Sequence, residues 1–263
     1  MLRGGTINVL RLGSQHRMSI WDQLLLEEGL HRAENIPDDK KNWCILNQCE
    51  TQQPTIVLGY SGKINKLVNI EEQQMRGVPM LRRFTGGGTV IIDHNTLFIS
   101  WLLGDSVLPH VRPYPKSIMT WSGEFYSAAM RGIGVNNFEL RADDYVVGDL
   151  KIGGNAQAIS GKKWLHHTSF LWDFDDDSMK VLQIPEKRPT YRGSRSHSQF
   201  LQRMKDIVPV KIRNSSDTFL DEVESQIEYQ FPHQHINYAT VEDALEILEA
   251  NPNRRKTTRF ETV

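Results

Sequence analysis

Between Asp144 and Phe174 the chain runs through three β-patterned stretches, "YVV", "LKIGGNAQAI" and "WLHHTSFLWDF", separated only by the turns at Gly148-Asp149 and "SGKK". Connections this short leave no room for a crossover, so the three strands are expected to be antiparallel neighbours. Such a block argues for an α+β fold with mixed, largely antiparallel sheets and packed helices, not for a doubly wound parallel sheet.

The rest of the chain supplies more strands and the helices to cover them. "TINVLRL" reads as a first strand, and "SIWDQLLLEEGLHRA" as a helix with Ser19 and Asp22 in capping-box spacing and a stripe of Trp21, Leu24, Leu25 and Leu30. "PTIVLGY" is a short buried strand, followed by a polar loop "SGKINKLVN" and a helix "EEQQMRG" closed by Gly77. "VPMLRRFT" returns as a strand, and "TVIID" and "TLFISWLL" are two strands joined by the turn "HN". Residues 114–133 form a helix with Ile118, Trp121, Phe125 and Ala129 on one face. After about residue 180 comes a loop rich in Pro, Arg and Ser, then helices near 198–207, 216–229 and 241–249, the last capped by Thr240 with Asp243.

Composition bounds the function classes. The 263 residues can bury one large core with a small appendage, and 31 basic residues against 32 acidic give no reason to expect a nucleic-acid or membrane partner. No run of about 18 apolar residues could span a bilayer. Cys44 and Cys49 are too few for a disulfide framework or a zinc site and read as reduced thiols inside a cell. The first 17 residues hold three arginines and no acid, a pattern shared by organelle leaders. Their overlap with "TINVLRL" favours a plain first strand.

Two constellations carry chemistry. In "RRFTGGGTVIID" the glycines Gly86, Gly87 and Gly88 weaken a strand region unless bare backbone is needed there, either for a tight turn or for N–H groups that face a phosphate or carboxylate. Strand alternation lets at most one of Arg82 and Arg83 enter such a site, and leaves the other to an ordinary ion pair. An arginine beside a glycine cradle suits a phosphate. In "DDYVVGDLKIGGNAQ", Lys151 lies among apolar and small residues, either as an edge-strand surface lysine or as a fixed charge beside a reacting carboxylate or phosphate. Asp144 precedes it across a turn, where it orients the lysine or holds magnesium. His166 and His167 alternate onto opposite sheet faces and cannot act together. The pair in "HQH" (233–235) lacks a third ligand for zinc.

In this order, "SIWDQLLLEE", "PTIVLGY" with "KINKLVN", "RRFTGGGTVIID", "DDYVVGDLKIGGNAQ" and "HHTSFL" resemble the lipoate–protein ligase A family of the biotin/lipoate ligase superfamily, over about residues 8–230. The resemblance implies the biotin/lipoate ligase catalytic-domain fold over residues 1–230, and leaves 231–263 as a C-terminal helical tail with no separate accessory domain. It implies an ATP-dependent enzyme, with magnesium, that activates lipoate as lipoyl-AMP and transfers the lipoyl group to a lysine of a carrier domain. Those carriers would be lipoyl domains of 2-oxoacid dehydrogenase complexes or the glycine cleavage H protein, and the role of the C-terminal domain found in larger members would be absent, unnecessary or supplied by a separate accessory polypeptide. The setting would be mitochondrial or cytoplasmic. By position, Lys151 would touch the lipoyl carboxylate and the α-phosphate. Arg83, Gly88, Thr89, Val90, Ile91 and Asp144 would contact the nucleotide, and Gly86, Gly87, Gly88 and Lys151 the lipoate, its dithiolane tail entering near Gly87.

The chain departs from the family where Ile92 replaces a histidine and where the turn after it is about one residue shorter. Two other readings share the fold: a lipoyl or octanoyl transferase using a preformed acyl donor, disfavoured by the lack of a cysteine near the lysine segment, and a non-catalytic acyl- or nucleotide-binding homologue.

Overall fold

A computed structural model describes residues 5–12, 17–51, 53–252 and 255–260. Residues 1–4 and 13–16, on which a leader reading of the N-terminus rests in part, lie outside them. The strands are β1 (Thr6–Leu12), β2 (Asn42–Gln48), β3 (Thr55–Leu58), β4 (Met80–Arg82), β5 (Thr89–Ile92), β6 (Thr96–Leu103), β7 (Phe138–Arg141), β8 (Asp144–Val147), β9 (Leu150–Ser160), β10 (Lys163–Leu171), β11 (His235–Tyr238) and β12 (Thr258–Arg259). The helices are α1 (Ile20–Arg32), α2 (Ile64–Leu67), α3 (Ile70–Arg76), α4 (Pro115–Gly132), α5 (His197–Phe200), α6 (Asp217–Gln230) and α7 (Val241–Ala250). None is long and apolar enough to cross a membrane.

An eight-stranded sheet runs in the order β11-β1-β2-β6-β10-β9-β8-β7, and a four-stranded sheet in the order β12-β4-β3-β5. Only β1 with β11, β1 with β2, and β3 with β4 pair in parallel. The β8-β9-β10 block is antiparallel throughout, as its short turns require. The turn after β5 behaves differently from a hairpin. Asp93 accepts from the Asn95 N–H at 3.0 Å and the chain passes from one sheet to the other, so β5 and β6 do not pair.

All eight residues of β6 are buried because both faces of the large sheet are covered. Trp101, Leu103, Ile7 and Val9 pack under α4 and α6, against Ile118, Phe125, Phe219 and Val223. Leu102, Leu10, Leu12 and Trp43 pack under α1 and α7, against Leu26, Leu30 and Ile247. The apolar spacing of α4 puts Ile118, Trp121, Phe125 and Ala129 inward, with Pro115 opening its first turn. Asn69 caps α3, and Gly77 ends it in the left-handed region at φ +63°.

Several elements differ from the sequence reading. The loop "SGKINKLVN" contains the single turn α2. The edge strand β7, with only Phe138 buried, has too little alternation to stand out. The helix expected at 198–207 breaks after Phe200 into extended chain and a 3₁₀ turn at Met204–Asp206. Beyond residue 230, α7 forms with a Thr240–Asp243 capping box, but β11 extends the large sheet and β12 the small one. Helix α1 starts at Ser19 as its spacing requires, yet it also buries Gln23, Glu27 and Glu28.

Glu28 ties residues 255–260 to the core. Its carboxylate accepts from the N–H groups of Lys256 (2.7 Å) and Thr257 (2.9 Å) and from Arg32 Nε (2.7 Å). Burial opposes its charge, but these donors prevail and hold the carboxyl below its ordinary 4.5. A depressed carboxyl pKa contributes stability in full above the unfolded value, and that contribution is lost as pH falls through the lower folded value. Thermal denaturation of Glu28→Gln beside the wild type should therefore show a melting deficit that holds above about pH 5 and closes below it.

Candidate active site

The chain leaves β4 at Arg82 and turns through residues 83–88 into β5. Of the three glycines, Gly87 has a backbone requirement, with φ at +94°. It also packs on Gly59, where a Cβ would lie 2.2 Å from the Gly87 carbonyl oxygen. Gly86 and Gly88 face open space on their Cβ side.

The arginine pair is used otherwise than expected. Arg83 is 3% exposed and is turned on the loop itself. Its Nη2 donates to the carbonyls of Gly86 (2.9 Å) and Gly88 (2.8 Å), and its Nη1 to that of Val57 (3.2 Å). Burial lowers its pKa to about 10, so it stays charged at neutral pH. It props the loop from behind and does not line the cavity described below. Among the described residues Arg82 has no ion-pair partner. Its Nη1 donates to the carbonyls of Gly59, Tyr60 and Gly62, at 3.1, 3.0 and 2.8 Å.

On the other side, a bulge between β8 and β9 sets Val146 opposite Lys151 and Tyr145 opposite Gly153. Bulges bend a strand and re-aim the side chains beside them. Lys151 Nζ lies 2.6 Å from Asp144 Oδ1, and the Tyr191 hydroxyl donates to Asp144 Oδ2 at 2.8 Å. Burial and the neighbouring carboxylate raise the Tyr191 pKa and keep that hydroxyl protonated. The Cβ position of Gly154 is 3.7 Å from Lys151 Nζ and 3.5 Å from Val90 Cγ1, so its missing side chain leaves room next to the amine.

These pieces meet in one cavity of about 230 Å³. The loop contributes Gly88 and strand β5 contributes Thr89, Val90 and Ile91; β8 and β9 contribute Asp144, Lys151 and Gly154. Leu67, Leu171, Met179, Leu182 and Phe200 supply apolar lining. Gly86 and Gly87 do not line it. The space beside Gly87, expected to take an apolar tail, is filled by Arg83, Ala156 and the Asn155 carbonyl. The Pro-, Arg- and Ser-rich loop, which carries no recognisable motif, adds Lys187, Arg188, Arg192 and His197. Burial, then the charges of Arg192 and Lys151, lowers the His197 pKa to about 4, so its imidazole is neutral at pH 7.

Other residues singled out in the sequence lie elsewhere. His166 is wholly buried and bonded to the Tyr145 hydroxyl (3.0 Å), with its pKa lowered to about 3 by burial. On the opposite face His167 meets Glu27 at 2.8 Å. Ile92 is fully buried against α1, Leu81 and Phe98. Both cysteines are buried with thiol pKa values raised by burial, and neither lines the cavity.

The family description "Lipoyl protein ligase A/B catalytic domain" matches residues 19–231. The "Inactive lipoate–protein ligase 2" of Plasmodium falciparum is 29% identical over 253 residues, covering 76% of this chain and 64% of that protein. The lipoate-protein ligase LplJ of Bacillus subtilis is 26% identical over 148 residues, covering 55% of this chain and 42% of the relative. The chain thus spans less than two thirds of the length of these curated relatives. Among solved structures, a lipoate-protein ligase A bound with ATP superposes with a TM-score of 0.69 at 19% identity, over 94% of this chain and 93% of the other. The bi-partite lipoate protein ligase of Thermoplasma acidophilum, described with its E2 lipoyl domain, does so at 0.69 and 20% identity, over 95% and 92%. At such identities the superpositions establish the shared α+β fold.

Arg83→Met removes three carbonyl partners at once without adding a polar group. It should lower stability by roughly 1–3 kcal/mol in urea unfolding and raise hydrogen exchange at Gly86–Thr89.

Proposed function

This chain belongs to the lipoyl protein ligase A/B catalytic-domain family, and from that premise we propose that it activates lipoate with ATP and transfers the lipoyl group to a lysine of a lipoyl carrier domain. The observation that carries this reading is the cavity, where the Lys151 amine, the Gly88–Ile91 backbone and an apolar lining share one space. A carboxylate with a long apolar tail and a nucleotide phosphate need that combination.

In the first step a lipoate carboxylate oxygen bonds the α-phosphorus. The bond from that phosphorus to the bridging oxygen breaks, and pyrophosphate leaves with the electron pair. In the second, the carrier lysine's neutral amine attacks the acyl carbon, AMP leaves, and the amine's proton passes to solvent. Positioning and charge neutralisation account for most of what such steps need from a protein. Lys151 is the fixed cation for the carboxylate and α-phosphate, and Asp144 holds its amine in place until a ligand competes for it. Gly88, Thr89, Val90 and Ile91 border the nucleotide. Arg83 acts through the loop that it props and is a positioning residue in this reading. Gly86 and Gly87 shape that loop; the acyl tail is assigned to the apolar lining near Leu171 and Met179.

Among the described residues no second carboxylate joins Asp144 in the cavity to seat magnesium. Both oxygens of Asp144 are engaged, by Lys151 and Tyr191. We derive no step through the ion, which would arrive with the ATP phosphates.

The lipoyl domain and bi-partite architecture described for the T. acidophilum ligase support a carrier domain as partner and a second polypeptide as complement. Carriers of the 2-oxoacid dehydrogenase or glycine cleavage type, in mitochondrion or cytoplasm, complete the proposal. A second reading, binding without catalysis, draws on the Plasmodium relative named as inactive.

Lipoate-dependent exchange of labelled pyrophosphate into ATP separates these readings. The wild type should exchange, and Lys151→Ala should lose about 100-fold or more with an unchanged melting temperature. Transfer from preformed lipoyl-AMP without exchange would make the protein a transferase; failure of both steps would leave binding alone.

A further inference from the structure

The segment Gln183–His197 lines the cavity with a charge pattern that the adenylate alone does not require. It holds Lys187, Arg188, Arg192 and Arg195 against a single acid, Glu186, and Glu186 is turned away to Lys66 at 3.1 Å. Arg195 is occupied by carbonyls: its Nη1 donates to Asp149 (2.9 Å) and its Nη2 to Tyr191 (2.6 Å). Lys187, Arg188 and Arg192 line the cavity, and none has a carboxylate within ion-pair reach among the described residues; Arg188 donates from Nε to the Gly193 carbonyl (2.8 Å) and from Nη1 to that of Pro185 (3.2 Å), which leaves its Nη2 for a ligand. With Lys151 they place four cations around one carboxylate, Asp144, in a chain whose net charge is −1.

Arg192 is the sharpest feature. It is 6% exposed and its guanidinium sits over the Phe200 ring, 4.6 Å from the centroid. Its Nε reaches only the Arg195 carbonyl at 3.3 Å, and its Nη2 is buried with no acceptor among the described residues. A buried guanidinium donor without an acceptor is costly unless a ligand supplies one. The neutral His197 beside it adds a hydrogen-bonding group with no competing negative charge.

We infer that Lys187, Arg188 and Arg192 form a subsite for the β- and γ-phosphates of ATP and hence for the departing pyrophosphate. The inference rests on the proposed ligase reading and adds a division of labour. Lys151 serves both half-reactions, because the α-phosphate is present in both. The three strap cations serve only the first, because lipoyl-AMP carries no β- or γ-phosphate. They hold charge that accumulates on the leaving group as the α-phosphorus to bridging-oxygen bond breaks.

The test uses the full chain with inorganic pyrophosphate as probe, in calorimetric binding, alongside ATP–pyrophosphate exchange and lipoyl transfer from preformed lipoyl-AMP. The exposed pair Lys187→Gln/Arg188→Gln should fold normally, bind pyrophosphate at least about tenfold more weakly and lose exchange, yet keep transfer within about twofold of wild type. Arg192→Gln should do the same more strongly, and Arg192→Lys should restore part of the pyrophosphate affinity, which a purely structural role would not produce. Wild-type protein that does not bind pyrophosphate, or variants that bind it as the wild type does, would overturn the subsite. Absence of both exchange and transfer in wild type would sink the ligase reading instead, while pyrophosphate binding would still decide the subsite. Equal loss in both half-reactions would overturn the division of labour.

Discussion

A buried guanidinium with no ion-pair partner among the described residues governs this site. Arg83 is charged, almost fully enclosed, and satisfied by the carbonyls of Val57, Gly86 and Gly88. Desolvating a charge is tolerable only when hydrogen bonds replace water, so the loop must keep its carbonyls turned inward. That orientation frees the other side of the loop for a ligand and sets the start of β5. The small sheet, the glycine loop and one wall of the cavity therefore share a single anchoring side chain.

The second constraint is the Asp144–Lys151 pair. At 2.6 Å it holds a lysine that would otherwise be a flexible point charge, and Tyr191 joins it to the strap that carries Arg188 and Arg192. One carboxylate thus links strand β8, strand β9 and a Pro-, Arg- and Ser-rich segment around one cavity. An anion entering the site meets cations already positioned, with one internal competitor to displace.

The order of elements was legible where the code is local. Period-two runs joined by two-residue turns dictate the β8-β9-β10 block, and Ser19 and Thr240 mark helix starts because their caps bond three residues ahead. What needed three dimensions was partner choice. Strand alternation says that Arg82 and Arg83 point apart, but not that both would be consumed by carbonyls. The apolar stripe of α1 gives its inward direction and overlooks Gln23, Glu27 and Glu28, whose burial depends on Ser100, His167 and residues 256–257 far along the chain. Of the cavity, Gly88, Thr89, Val90, Ile91, Asp144 and Lys151 were visible as two motifs. The strap was not, because its composition reads as a loop and its partners Asp144 and Asp149 lie 47 and 46 residues from Tyr191 and Arg195.

The pairing of β1 between β2 and β11 has a consequence for biosynthesis. Strand β1 emerges early, yet one of its edges waits for His235–Tyr238, and β4 waits for Thr258–Arg259. A nascent chain can assemble the β8-β9-β10 block as soon as it clears the ribosome, but β1 and β4 each keep one unpaired edge until residues 235–260 arrive. During that interval the edge of β1 that β11 later covers is open to pairing with a neighbouring chain.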